Sequence, residues 1–170
     1  MQEVYPNLFI GSIYDYEARV SGQPGWAIVH ACKEPYHRRA VGYRGWNVPK
    51  GHPEFLLARR DNRIMLCLLD LPVPWFIRKE MIDYTLDFIE QMHGGGQKVL
   101  VHCLKGRSRS PSITMLYLAT RLHVLPNDSL EAAEVQFRRL YPGYHPTAGI
   151  RRHLYLHWQQ YRADGMSRQR

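Results

Sequence analysis

The chain has 170 residues, 45% hydrophobic and 22% charged, and carries a formal net charge of +8. That composition suits one globular domain and excludes a disordered, collagenous or coiled-coil chain. No apolar run reaches the roughly 18–20 residues of a membrane span, and the start, Met1 to Pro6, lacks the basic and apolar regions of a signal peptide.

In chain order, Leu8 to Ile10 reads as a short strand ending at Gly11. Trp26 to Ala31 is largely apolar and reads as a buried strand, and Ile64 to Leu69 as another, bounded by Arg63 and Asp70. Lys79 to Met92 places Met81, Ile82, Leu86, Phe88, Ile89 and Met92 near helical period, so a helix is expected there. Gly94-Gly95-Gly96 stops it and turns the chain. Val99 to Val101 is a third buried strand. Pro111 to Leu122 is expected to be a buried helix with proline at its start, where proline is tolerated. Ser129 to Leu140 and Gly149 to Tyr161 complete the helices. Buried strands alternating with helices predict an α/β fold: a central, mostly parallel twisted sheet flanked by helices, one domain across residues 1–170.

Three cysteines, Cys32, Cys67 and Cys103, are too few and too scattered for a disulfide scaffold and point to a reducing compartment, the cytoplasm. The basic balance fits either a solvated surface or an anionic partner such as nucleic acid, anionic lipid or a phosphorylated substrate. Arginine pairs at 38–39, 59–60, 138–139 and 151–152 are scattered, with no basic run interleaved with stacking aromatics, so nucleic acid is not expected. His153 and His157 stand one helical turn apart with no third ligand in view, so no metal and no cofactor are expected.

The stretch from Val99 to Ser112 carries the chemistry. An apolar strand runs into His102-Cys103, a loop with Gly106 follows, and a helix begins. Strand, loop and helix N-terminus make an anion site, because loop N–H groups can converge and the helix dipole adds positive potential. A cysteine there, with Lys105, Arg107 and Arg109 within six positions, is favoured as a thiolate nucleophile. Arg109 offers a planar fork for two phosphate oxygens. Ser110 can donate a hydrogen bond to the sulfur when it leaves.

His102-Cys103-Leu104-Lys105-Gly106-Arg107-Ser108-Arg109-Ser110-Pro111 resembles the signature of the cysteine-based protein tyrosine phosphatases, most closely their dual-specificity branch. Val4 to Ser12 is similar to the opening strand of those domains, and Pro142 to Ile150 to the segment before their last helix. The resemblance runs from about Val4 to Leu154 and is weakest over Glu34 to Asn62. It implies a two-step phosphoryl transfer. Cys103 attacks phosphorus and forms a thiophosphate ester; an aspartic acid protonates the leaving oxygen and then activates water. Loop residues Leu104, Lys105, Gly106, Arg107 and Ser108, with Arg109, hold the phosphoryl oxygens. His102 orients the loop and favours the thiolate.

The aspartic acid in such proteins lies about thirty residues before the cysteine. Asp70 stands there, at the end of an apolar strand and the start of Leu71-Pro72-Val73-Pro74-Trp75; Asp83 and Asp87 are rivals inside the expected helix. Ala27 to His37 is similar to a segment of the phosphoinositide-phosphatase branch, which implies that Cys32 can trap Cys103 as a disulfide under oxidation; burial as an ordinary core cysteine is the other reading. Cys67 is expected in the core, mid-strand. The implied substrates are phosphotyrosine, phosphoserine and phosphothreonine of proteins. Lys105 and Arg107 leave a phosphoinositide or other lipid head group as the alternative, although Leu104 stands where that branch carries lysine. A non-catalytic phospho-binding module is the remaining alternative. Thr147 stands where many dual-specificity domains carry asparagine.

Overall fold

Residues 1–49 and 51–167 are described by the computed structural model. A two-stranded edge opens the chain: β1 (Gln2–Tyr5) folds back through Asn7, whose φ is 62°, onto β2 (Leu8–Ser12). Helix α1 (Ile13–Arg19) starts directly on β2. Ser12 and Asp15 cap it reciprocally, each side chain accepting from the other's backbone N–H. Strand β3 (Trp26–His30) leads into a wide helical turn, Lys33–His37, and a short α2 (Arg38–Val41). Then come β4 (Leu57–Arg60), β5 (Arg63–Leu66), a tight turn at Pro74–Phe76, α3 (Lys79–Gly94), β6 (Lys98–Cys103), α4 (Arg109–Thr120), α5 (Leu130–Leu140) and α6 (Ala148–Ser167).

The strands form one sheet in the order β1-β2-β6-β3-β5-β4. The four inner strands are parallel, and β1 and β4 add antiparallel edges. The inner strands are buried on both faces, which is why they read as unbroken apolar runs. The two faces are covered unequally. On one, α3 and α4 lie against the sheet and α5 and α6 pack behind α4; all twelve residues of α4 are buried. On the other, Tyr16 and Val20 of α1 close a small cluster over Ile28 and Leu100.

Several boundaries differ from those expected. α4 begins at Arg109, two residues before Pro111, and α6 extends to Ser167. β1, β4, α1 and the turn at residues 33–41 were not legible, because the first two are short, largely polar edges and α1 has only seven residues. β5 ends at Leu66, not Leu69. The next carbonyls are diverted: Leu68 O accepts from the Lys33 N–H at 3.1 Å and from Arg109 Nη1 at 3.0 Å. Cys67 is consequently half-buried beyond the strand and lines a surface pocket, correcting its expected place in the core.

Candidate active site

β6 runs through the middle of the sheet and delivers Cys103 to its carboxyl end, where ligands gather in open α/β sheets. Cys103 is buried, and its Sγ accepts a hydrogen bond from Ser110 Oγ at 3.2 Å. The loop between Cys103 and α4 is held from outside by its carbonyls. Leu104 O accepts from the Ile13 N–H at 3.4 Å, and Arg107 O from the His145 N–H at 2.8 Å. Gly106 O accepts from the Tyr141 hydroxyl at 2.8 Å. Carbonyls drawn outward leave the N–H groups of such a loop to the concave side, the geometry of an anion nest. Gly106 is required here: its φ is 70°, and a Cβ would meet Gly11 O at 3.0 Å.

The side chains of the loop divide. Leu104, Lys105 and Arg107 are exposed on its rim, whereas Ser108 and Arg109 are buried. The three cations within six positions of the cysteine are therefore one buried guanidinium and two rim charges. Arg109, 5% exposed, is anchored by Nη1 on Leu68 O. Its Nε has no hydrogen-bond partner and lies 3.5 Å from Asp70 Oδ2. A buried donor of this kind costs stability unless an acceptor reaches it.

Asp70 follows β5 and stands over this loop. Its Oδ1 accepts from Ser108 Oγ at 2.8 Å and from Thr147 Oγ1 at 2.7 Å, and the Thr147 N–H donates to Ser108 Oγ at 3.1 Å. The segment before α6 thus clamps the carboxylate onto the cysteine loop. The chain must approach closely to do so: a Cβ on Gly149 would lie 2.0 Å from Leu71 O. The rivals are engaged elsewhere, Asp83 with Lys79 and Asp87 with Arg121.

His102 is fully buried. Its Nε2 is 2.6 Å from Nδ1 of His30, the residue beside it in the parallel register of β3 and β6. Tyr16 stacks on His102 with centroids 4.9 Å apart, and Tyr36 on His30 at 4.0 Å. Burial keeps both imidazoles neutral, His102 held down to about 4 and His30 to about 2, with mutual repulsion and Arg63 adding to the latter. A neutral pair in contact must use one N–H and one lone pair, so each ring fixes the tautomer of the other.

Cys32 ends up fully buried just beyond β3. Burial pushes its thiol up to about 12; the Arg109 charge opposes this and the Cys103 charge adds to it, so it sits within the field of both. All three cysteines are free thiols. His153 is buried in α6 with its Nε2 2.8 Å from the Tyr161 hydroxyl, a structural contact. Reading the sequence did not single out His30, Tyr141 or His145, and assigned no role to Thr147. For His30 a signal existed: two apolar runs each end in histidine, and parallel pairing of those runs puts the rings side by side.

A mostly parallel sheet whose central strand feeds a cysteine, an outward-braced loop, a buried arginine and a helix start defines an α/β domain built around an anion seat. Residues 77–160 match the family model described as dual specificity phosphatase, catalytic domain. Human dual specificity protein phosphatase 6 is 33% identical over 60 residues, which is 35% of this chain and 16% of that protein; human dual specificity protein phosphatase 9 matches to the same extent. Among solved structures, the human tyrosine phosphatase-like serine/threonine/tyrosine-interacting protein superposes with a TM-score of 0.63 at 22% identity, covering 98% of this chain and 97% of that one. DUSP15 gives 0.63 at 21%, covering 99% and 96%, and PTPMT1 gives 0.62 at 17%, covering 97% and 98%. At these identities the likeness is one of fold. The family match over residues 77–160, the curated relatives and the shared fold together support a dual-specificity phosphatase of the cysteine-based protein tyrosine phosphatase superfamily. No helix among the described residues is long and apolar enough to cross a membrane.

Proposed function

We propose that residues 1–170 form one catalytic domain, a cysteine-dependent phosphatase that hydrolyses phosphomonoesters on tyrosine, serine and threonine side chains of proteins. The observation that carries this reading is the convergence of Cys103, Arg109 and Asp70 at one end of the sheet, with the buried Arg109 Nε lacking a hydrogen-bond acceptor.

In the first step the Cys103 thiolate attacks phosphorus. The S–P bond forms as the P–O bond to the alcohol breaks, and Asp70 gives its proton to the leaving oxygen. Arg109 and the N–H groups of residues 104–108 take the three equatorial oxygens, where charge spreads in the transition state. In the second step water attacks the thiophosphate, Asp70 takes its proton, and inorganic phosphate leaves as the thiolate returns. Ser110 Oγ, 3.2 Å from the sulfur, stabilises it as a leaving group. His102 acts as a positioning residue behind the nucleophile. Cys32 is the redox partner of this reading, a buried thiol that can capture Cys103 once the latter is oxidised to the sulfenic acid. Free thiols throughout fit a reducing, cytoplasmic setting.

The test is phosphate release from a phosphotyrosine peptide, a phosphothreonine peptide and a soluble phosphoinositide, each with wild type and Cys103→Ser. Cys103-dependent turnover of both peptides is the expected result. Turnover confined to the phosphoinositide would move the enzyme to the lipid branch, and none on any substrate would make the domain a phospho-binding module.

A further inference from the structure

Against the segment that carries Asp70 lies a cavity of about 260 Å³, between the turn at Pro74–Phe76 and the chain before β4. Its walls are largely apolar, with Val48, Phe55, Trp75, Phe76 and Met81 prominent, and two cations, Lys33 and Arg78, stand among them. Phe76 is 55% exposed and Trp75 73%, and Phe55 also reaches solvent. Single exposed apolar residues are ordinary; three aromatics grouped around one cavity mark a binding surface.

Position ties this cavity to the chemistry. One wall is Leu69, the residue before Asp70. Another is Lys33, whose N–H donates to the Leu68 carbonyl that also anchors Arg109. The cavity therefore lies against the segment that carries Asp70, on its β5 side.

Resting on the phosphatase reading, we propose that this cavity is a specificity pocket for a phosphopeptide. It takes one bulky apolar side chain close in sequence to the phosphorylated residue, with a neighbouring carboxylate on Arg78. Two observations choose this occupant. The volume falls below the roughly 300–1,000 Å³ of pockets that enclose whole small-molecule ligands, and suits one large side chain rather than the acyl chains of a lipid. A guanidinium in the wall also disfavours an acyl chain, which would desolvate the charge and offer it nothing. Arg78 has no ion-pair partner among the described residues, and an acidic peptide supplies one. Of the two cations Lys33 is the less accessible: it is buried, and its ammonium donates to the Trp46 carbonyl.

The experiment uses phosphotyrosine peptides of one sequence in which a single phenylalanine is moved through the flanking positions against an alanine background. At one position, phenylalanine is expected to raise kcat/KM by at least about tenfold, the value of burying one large apolar side chain. In Trp75→Ala and Phe76→Ala that ratio is expected to fall towards one. Val135→Ala, exposed on α5, is expected to keep it. Arg78→Gln should abolish a preference for glutamate over glutamine beside the phenylalanine. A flat phenylalanine scan in wild type, or a ratio that survives both aromatic truncations, overturns the proposal. So does faster turnover of a long-chain phosphorylated lipid in vesicles that Trp75→Ala abolishes. Failure to release phosphate even from a small aryl phosphate refutes the phosphatase reading instead. Calorimetric titration of the phenylalanine and alanine peptides into Cys103→Ser then decides the pocket by itself: equal affinities overturn it.

Discussion

Asp70 is held by two hydroxyls on one oxygen, and removing them separately tests whether that clamp positions the acid. Thr147→Val keeps the side-chain shape and deletes the 2.7 Å bond; Ser108→Ala deletes the 2.8 Å bond and leaves the Thr147 N–H without its acceptor. A hydrogen bond to a charged group is worth about 1.5–3 kcal/mol, and a general acid contributes about 10²–10⁴-fold. Loss of one hydroxyl lets the carboxyl swing towards Arg109 Nε, 3.5 Å from its other oxygen. The expected cost is about tenfold in kcat/KM for either single variant with an alkyl phosphate, whose leaving oxygen must be protonated. For the double variant the loss should approach that of Asp70→Asn, about 100-fold or more. With an activated aryl phosphate, whose oxygen leaves readily as the anion, the fall should stay within about threefold. Thr147→Asn puts an N–H donor at the same place and should recover most of the alkyl activity. The assay is kcat/KM across a leaving-group series, with thermal unfolding as a check on folding. A loss equal for all leaving groups, or none for alkyl phosphates, would refute the role given to the clamp.

His30→Phe fills the same aromatic stack but leaves His102 Nε2 buried without a partner; a stability loss of about 1–3 kcal/mol is expected by urea unfolding at pH 7. The same histidines set an acid dependence. Both are held below the ordinary value of ~6.5, so as pH falls the unfolded chain binds protons first; stability is level above that value and declines towards pH 4. By pH 5 His102 alone should cost about 2 kcal/mol, and a His30→Phe slope between pH 7 and 5 no shallower than that of wild type would contradict this origin. Gly149→Ala drives a Cβ to within 2.0 Å of Leu71 O, so it should displace residues 71–73 and the adjoining Asp70, lowering the melting temperature and alkyl-phosphate turnover together; normal values for both would show that the α6 start yields without effect. Under peroxide, wild type should form a Cys32–Cys103 disulfide that thiol reductant reverses, while Cys32→Ser loses activity irreversibly; peptide mapping that finds equal sulfinic acid at Cys103 in both proteins would remove Cys32 from the redox role.

What the sequence disclosed was whatever rests on contiguous pattern. Three inner strands appeared as apolar runs because parallel strands are covered on both faces. The cysteine loop appeared because its residues are consecutive, and Asp70 because it closes such a run. The clamp was not legible, since Ser108, Asp70 and Thr147 come together only when α6 folds back onto the β5 end, across separations of 38 and 77 residues. The strand limit at Leu66 was missed for a related reason. The run stays apolar through Leu69, but tertiary acceptor sharing at Leu68 takes the backbone out of the ladder. Spacing grouped Lys105 and Arg107 with Arg109 near Cys103; burial separates them, Arg109 inside and the other two on the rim, which spacing cannot distinguish.

The unequal faces of the sheet explain how the site combines rigidity with access. On the α3–α4 face, α4 is buried along its whole length, so the loop that starts it cannot shift without disturbing the main core. On the other face α1 and the turn at residues 33–41 cover the strands, and Tyr16, Tyr36 and His30 pack there against His102, the residue before Cys103. The nucleophile is therefore fixed from behind by α4 and from the side by an aromatic–histidine stack. Asp70 is different: it follows the end of β5, on a segment braced by hydroxyls and by one close glycine contact. The parts of the site divide accordingly, with a preorganised anion seat in the core and an acid on a braced but more yielding strap beside the aromatic pocket. Substitutions in α4 should cost stability before selectivity, and substitutions along 69–78 selectivity and leaving-group dependence before stability.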